Sequence, residues 1–415
     1  MQQPEGRPFP MHAEVVVVGA GVLGSATAFH LAGMGRNVVQ LERGPLASEA
    51  SSQGAGFLCS YRPRRSSAQI LQYSTAFYHR FRQETGFDVD LHPTGAVRVA
   101  LGERWLDELR TEAEMGRSIG VETHELTARE VAAMLPGLEI GAAIGGLFTP
   151  GEGYVTSTRD AALGFARAAA RRGADVRTYE DVASVVPLAG GGFEVVATSG
   201  RIRAETVVLA ANAGLWPLLR RLGMRLAAYP IHHQLAVYDI PAGVDPGLPT
   251  IRIVERDLYL RHEAGGLLVG GVGSDPPSPP VDAPDAAFNL ASVETDHERL
   301  EEARRRAAAF VPAIEHATCI REQRGLLVVA PDLEPMLGEI LPRLFVATAD
   351  LRGIQSAPGM GLMLAQLIAT GESEWDPQAY RPDRFAELAG HPERVREAAV
   401  NGIRSLFGDE AARPA

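Results

Sequence analysis

Four consecutive valines, Val15 to Val18, run straight into Gly19-Ala20-Gly21-Val22-Leu23-Gly24. A β-branched run without polar alternation suits a strand buried on both faces, as parallel strands are. Residues 25–33 have helical character, Gly35 ends them, and residues 37–41 form a second β-rich run closed by Glu42. Strand, glycine turn, helix, strand and terminal acid in this order are a dinucleotide-binding fingerprint. Each part has a physical reason. Gly19 allows the tight turn, Gly21 lets backbone approach a pyrophosphate, and Gly24 lets helix and strand pack closely. The free N–H groups and dipole of the helix N-terminus stabilise phosphate charge. Glu42 suits a ribose diol and repels a 2′-phosphate, which disfavours NADP.

Composition removes several alternatives. The 415 residues include 40 basic and 51 acidic groups, a net charge of −11, which disfavours nucleic acid as a partner. Every basic residue is arginine, so lysine Schiff bases, a P-loop lysine and a lysine general base are excluded. Cys59 and Cys319 form no CxxC pair, and no Cys/His spacing points to a metal. Residues 13–33 have the length of a membrane span, but they divide into strand, turn and helix and carry Glu14, Ser25, Thr27 and His30. The polar N-terminus is not a secretory signal. A soluble, cytoplasmic protein with no transmembrane segment is expected.

Later segments carry a family resemblance. Glu42-Arg43-Gly44 followed by Ala50-Ser51-Ser52-Gln53-Gly54-Ala55-Gly56 resembles the D-amino-acid oxidase superfamily of flavoproteins, which includes glycine oxidase, the sarcosine oxidases, and the sarcosine and dimethylglycine dehydrogenases. Gly153-Tyr154-Val155 with the helical stretch 161–173 resembles the family's "vdP" segment. Asp181-Val182 resembles its adenine-contacting valine, residues 207–212 its third Rossmann strand, and Gly214-Leu215-Trp216 the turn after it. Residues 325–338 resemble "GLRPxTxDxxPxxG", and residues 352–361 resemble the "GHGxxxAPxxG" loop that opens a helix against the flavin. Pro358 suits an early position of that helix.

The resemblance implies an α/β fold: a Rossmann-type FAD-binding domain interleaved with a mixed-sheet (α+β) substrate domain. The FAD domain is expected over 13–85, 150–225 and 320–375, the substrate domain over 86–149 and 226–319, and a helical extension over 376–415. It implies FAD held by Gly19, Gly21, Gly24, Glu42, Arg43, Ser51, Ser52, Gln53, Gly54, Gly56, Val182, Asn212, Trp216, Gly353, Ile354, Gln355 and Met360. Gln53 occupies the place of the flavin-carrying histidine of covalent relatives, and Cys319 lies about six residues before the cysteine that carries it elsewhere. FAD is therefore expected to be non-covalent. Leu327 replaces the arginine of "GLRP", leaving Arg352, Arg261 or Arg324 to supply charge for a substrate carboxylate.

In the middle of the chain, residues 193–198 with 201–204, then 231–238, 250–254, 258–261 and 267–271, read as strands. Residues 274–285 carry five prolines and read as a connector or lid, 293–310 as a charged helix, and Arg62, Arg64, Arg65 and Arg304 to Arg306 as surface. Tyr259 and Arg261 alternate along one strand and share a face. Only one of His232 and His233 can face the flavin, and His232 is carried forward with Tyr259 and Arg352 as the reacting or orienting groups. The implied activity is oxidation of a C–N bond in an amine or amino acid, with a secondary, N-methyl or cyclic amine favoured. Hydride passes to flavin, an imine forms, and oxygen or a redox carrier takes the electrons. A flavin-bearing β subunit with heteromeric partners, to which an apolar side of helix 391–407 lends itself, and a flavin-dependent hydroxylase remain as alternatives.

Overall fold

The valine run of strand His12–Val18 sits in the middle of an 8-stranded sheet, with Val15, Val16 and Val17 at most 1% exposed. Val38–Glu42 pairs parallel on one side of it and Gly200–Leu209 on the other. Asp175–Thr178 extends the parallel array beyond Val38–Glu42. Leu344–Thr348, from the far end of the chain, lies parallel to the end of Gly200–Leu209, with Val207 opposite Leu344. The hairpin arm and the Rossmann strand foreseen around 201–212 are thus one ten-residue strand. The structure, a computed structural model, describes residues 8–59, 64–240, 244–273, 275–279, 281 and 289–406. Arg62 and most of 280–285 of the proline-rich segment lie outside the described residues.

Helix Val22–Gly33 covers this sheet and packs against Thr158–Arg171 and Gly353–Thr370. Ser157 starts the second of these by accepting the Asp160 N–H at its side chain, a standard N-cap. Phe29, Phe77, Phe81 and Phe165 fill the space between helices, with ring centroids 5.1–6.1 Å apart. His30 joins them, and its Nε2 lies 3.0 Å from the Pro358 carbonyl. A carbonyl only accepts, so Nε2 carries the proton. Helix Gly353–Thr370 begins five residues before Pro358, which makes that proline internal and not an early position.

The second sheet is mixed. Its order is Thr318–Val329, Tyr229–Asp239, Gly266–Gly270, Leu258–Glu263, Thr250–Ile253, Ala96–Ala100, Gly145–Thr149 and His124–Thr127. Only Thr250–Ile253 and Ala96–Ala100 pair parallel. Thr318–Val329 crosses the boundary foreseen at 320 and belongs to this sheet along its length. The charged helix runs from His297 to Ala308 (His297–Ala308), later than read from sequence, because Asp296 caps it by accepting the Arg299 N–H. In the last helix, Pro392–Leu406, Val395, Ala399, Val400 and Ile403 are buried within their own chain. Among the described residues no helix is long and apolar enough to cross a membrane.

His30 gives a pH prediction. Burial, opposed in part by the Pro358 hydrogen bond, lowers its pKa from 6.5 to about 3. Between those values the unfolded chain holds the extra proton, so stability rises with pH across the window and falls on acidification, by about 1.4 kcal/mol per pH unit. A His30→Gln variant, which keeps a donor for Pro358, is expected to lose one proton's worth of that slope in urea melts taken across the window. An unchanged slope would assign the acid sensitivity elsewhere.

Candidate functional site

The strands His12–Val18, Val38–Glu42 and Leu344–Thr348 all point their carboxyl ends at one cavity, the place where open α/β sheets bind ligands. Its volume is about 520 Å³, and both large sheets contribute to its wall. At the turn, Gly19 has φ of 107°, a region open mainly to glycine. A Cβ on Gly24 would stand 2.3 Å from the Gly19 carbonyl oxygen, so helix and turn touch only because Gly24 has no side chain. The Val22 N–H donates to Ser51 Oγ at 2.9 Å, joining the turn to the serine-rich segment. Glu42 accepts from the Ala20 N–H at 2.8 Å and the Gly44 N–H at 3.0 Å. Burial raises its pKa, against the pull of those two amides. Arg43 reaches Glu49 at 3.3 Å.

Gly19, Gly21, Glu42, Arg43, Ser51, Gln53, Gly54, Gly56, Val182 and Asn212 line the cavity, as do Arg352, Gly353, Ile354 and Gln355 from the far end of the chain. Asn212 also donates its Nδ2 to the Leu326 carbonyl at 3.0 Å, linking the two sheets at the wall. Three buried polar atoms of lining residues, Thr348 Oγ1, Arg352 Nη1 and Gln355 Oε1, have no hydrogen-bond partner among the described residues. Buried polar groups are normally paired, so these three mark where a polar ligand fits.

Other predicted residues stand elsewhere. Gly24 lies beneath the turn. Ser52 turns away to donate to the Glu49 carbonyl at 2.9 Å. Trp216 packs against the core of the first sheet, and Met360 is 2% exposed within the helical core. His232 faces a small second pocket beside Pro277 and Arg299, on the opposite side of its strand. The residue at the main cavity is His233, because successive side chains of Tyr229–Asp239 alternate between faces and His233 pairs across from Gly325 of the lining. The parity was present in the sequence: Ile231, His233, Leu235 and Val237 form the apolar series, while His232 and Gln234 form the polar one.

His233 Nε2 lies 2.9 Å from the Tyr259 hydroxyl. Tyr259 sits opposite Gly270, where a Cβ would stand 2.2 Å from its ring, so the ring lies flat over a residue with no side chain. Burial lowers the His233 pKa to about 4, with the Arg299 charge adding to it, and burial pushes the Tyr259 phenol up. The pair is a neutral imidazole and a protonated phenol at neutral pH. Across the next strands stand Arg252, opposite Tyr259, and Arg98, opposite Arg252. Both line the cavity, and the sequence reading had singled out neither.

Arg98 contacts Glu112 at 3.0 Å and Glu152 at 3.1 Å. Burial works against its charge, but the two carboxylates outweigh burial and hold it as a cation. Its Nη2 is also 3.1 Å from Cys59 Sγ. Arg261 is committed to Glu263 and the Ala55 carbonyl, and Arg324 to the Val293 carbonyl. Neither lines the cavity; of the three arginines foreseen as replacements for the one missing at 327, only Arg352 does. Among the described residues no group of three or more His, Cys, Asp or Glu side chains is placed to hold a metal.

The family model described as "DAO: FAD dependent oxidoreductase" matches residues 14–367. The chain belongs to that family. It is 31% identical to glycine oxidase of Geobacillus kaustophilus over 373 residues, 88% of this chain and 94% of that protein. It is 30% identical to 4-methylaminobutanoate oxidase (formaldehyde-forming) of Paenarthrobacter nicotinovorans over 410 residues, 96% of this chain and 49% of that protein. The chain thus spans about half the length of that relative. Its fold matches L-proline dehydrogenase of P. horikoshii with a TM-score of 0.81 at 22% identity, covering 91% of this chain and 99% of that one.

The family is one of FAD-dependent oxidoreductases. The donor set fits the cofactor: a glycine turn open to phosphate, a buried carboxylate for a diol, and three unpaired polar atoms at the opposite wall. Replacing Glu42 by Gln puts an amide where two N–H groups need an acceptor. FAD affinity, read by flavin fluorescence quenching, is expected to fall on the order of tenfold. An affinity within about twofold of the parent would remove Glu42 from the cofactor site.

Proposed function

We propose that the chain oxidises the C–N bond of an amine that carries a carboxylate, a secondary, N-methyl or cyclic amino acid, to the imine. The observation that carries this reading is the Tyr259–His233 pair with Arg252 directly across the strand. That arrangement offers a hydrogen-bonding site for an amine nitrogen beside a cation for a carboxylate. FAD, when bound, supplies the hydride acceptor. The work left to the chain is binding and orientation.

Neutral His233 accepts a hydrogen bond from the Tyr259 hydroxyl, which leaves the lone pairs of the Tyr259 oxygen for an amine N–H. Arg252, together with Arg352 Nη1, takes the carboxylate through charge-assisted hydrogen bonds, which are stronger than neutral ones. Holding both ends of the substrate brings its reacting carbon to a near-attack distance of about 3–3.5 Å. The names of the two curated relatives, each an oxidase of an amine bearing a carboxylate, support the same class. Gln53 on the wall supports non-covalent FAD, since a glutamine side chain forms no bond to the flavin ring. An arginine-only chain has no lysine to assist oxygen, which favours a redox carrier as electron acceptor.

Anaerobic titration with sarcosine, dimethylglycine, 4-methylaminobutanoate and proline tests the proposal. At least one is expected to bleach the flavin, and its counterpart lacking the carboxylate to react at least about tenfold more slowly. If none bleaches it, the amine assignment fails. Tyr259→Phe is expected to slow bleaching at least about tenfold without loss of bound FAD. Acid precipitation is expected to leave the yellow colour in the supernatant; a yellow pellet would show a covalent link.

A further inference from the structure

Helix Gly353–Thr370 opens onto the cavity with Gly353, Ile354 and Gln355, yet a rung of its hydrogen-bond ladder is missing near its start. Pro358 has no N–H to give the Ile354 carbonyl. The next donor, the Gly359 N–H, reaches Ser74 Oγ at 3.0 Å. The first turn is closed on itself by the Ser356 N–H to the Arg352 carbonyl at 3.1 Å, but its ladder to the rest of the helix is interrupted. A neighbouring helix, Arg65–His79, supplies a partner in its place and further contacts beside it. Its Tyr78 hydroxyl donates to the Ile354 carbonyl at 2.6 Å, and its Ser74 hydroxyl donates to the Ser356 carbonyl at 3.2 Å. Tyr78 is 1% exposed, so no solvent stands ready to replace it.

We propose that Tyr78 is a positioning residue for the flavin: its hydrogen bond to the Ile354 carbonyl sets the orientation of the cavity-facing first turn. The proline decouples that turn from its own helix, and the phenol couples it to another. The turn carries two of the unpaired cavity atoms on or beside it, Arg352 Nη1 and Gln355 Oε1, so a tilt reaches the cofactor site directly. This inference rests on FAD occupying the cavity and is independent of which amine is oxidised.

The test is a double-mutant cycle on the FAD-loaded protein without substrate. Tyr78→Phe orphans the Ile354 carbonyl; FAD affinity is expected to drop about tenfold, with a changed visible circular dichroism of the bound flavin. Pro358→Ala gives that carbonyl a backbone N–H, so adding Tyr78→Phe to it is expected to change the affinity by no more than about twofold. Unchanged affinity and flavin dichroism in Tyr78→Phe, or an equal loss in both backgrounds, would overturn the proposal. If Tyr78→Phe alone does not fold, folding of the double variant supports the link and failure of both overturns it. Because no amine is present, a failed substrate assignment leaves this outcome untouched.

Discussion

Parallel pairing of His12–Val18 between Val38–Glu42 and Gly200–Leu209 is the constraint on which the rest depends. It fixes which ends of three strands share an edge, and Leu344–Thr348, near the far end of the chain, adds another beside Gly200–Leu209. Every parallel strand that ends at that edge continues into a segment of the cavity wall: the glycine turn after Val18, Glu42 and Arg43, residues 180–183 after Thr178, Ala210 to Asn212, and Thr348 with residues 350–355. Such an arrangement has almost no local contacts to guide it, and non-local pairing is costly in loop entropy. The stabilisation comes from burial of the strands themselves, whose valines are sealed on both faces.

The second sheet solves a different problem, placing polar groups on a buried face without leaving them unpaired. Arg98 and Arg252 stand directly opposite each other, and like charges in that relation destabilise a sheet. Glu112 and Glu152 close on Arg98 and balance the pair. Tyr259 is accommodated by the missing side chain of Gly270 and finds its partner in His233, two strands further on. A neutral imidazole is the suitable partner there, because a charged one would stand in a desolvated wall already carrying guanidinium groups.

The sequence was most legible where one short segment contains its own physical reason. The glycine turn, its strands and Glu42 could be read because spacing and residue type together imply the geometry. The start of the proline helix lies earlier than its sequence suggests, since Pro358 looks like a helix-opening residue until Tyr78 is seen to replace its lost bond. His232 was chosen over His233 although the apolar alternation favoured His233. Arg98 and Arg252 could not have been singled out, because their place at the wall depends on the parallel pairing of Ala96–Ala100 with Thr250–Ile253, and no local pattern records which distant strands become neighbours. Ser52, Trp216 and Met360 were carried over by motif position, yet each spends its side chain on its own turn or core.

Leu327 shows why a missing motif residue is weak evidence against a site. It lies opposite Ile231 on the sheet, so this stretch of wall is apolar on both strands. On a sheet face, however, the wall is a lattice of cross-strand positions, and a cation can enter it from another strand without disturbing backbone pairing. Arg98 cannot serve as that cation, since two carboxylates already neutralise it. Arg252 on a neighbouring strand and Arg352 ahead of the cavity helix both line the same space. On the proposed reading the positive charge has been moved and not lost. The substrate is then held between the Tyr259 side of the sheet and the first turn of the helix, so the alignment of that turn bears on both cofactor and substrate.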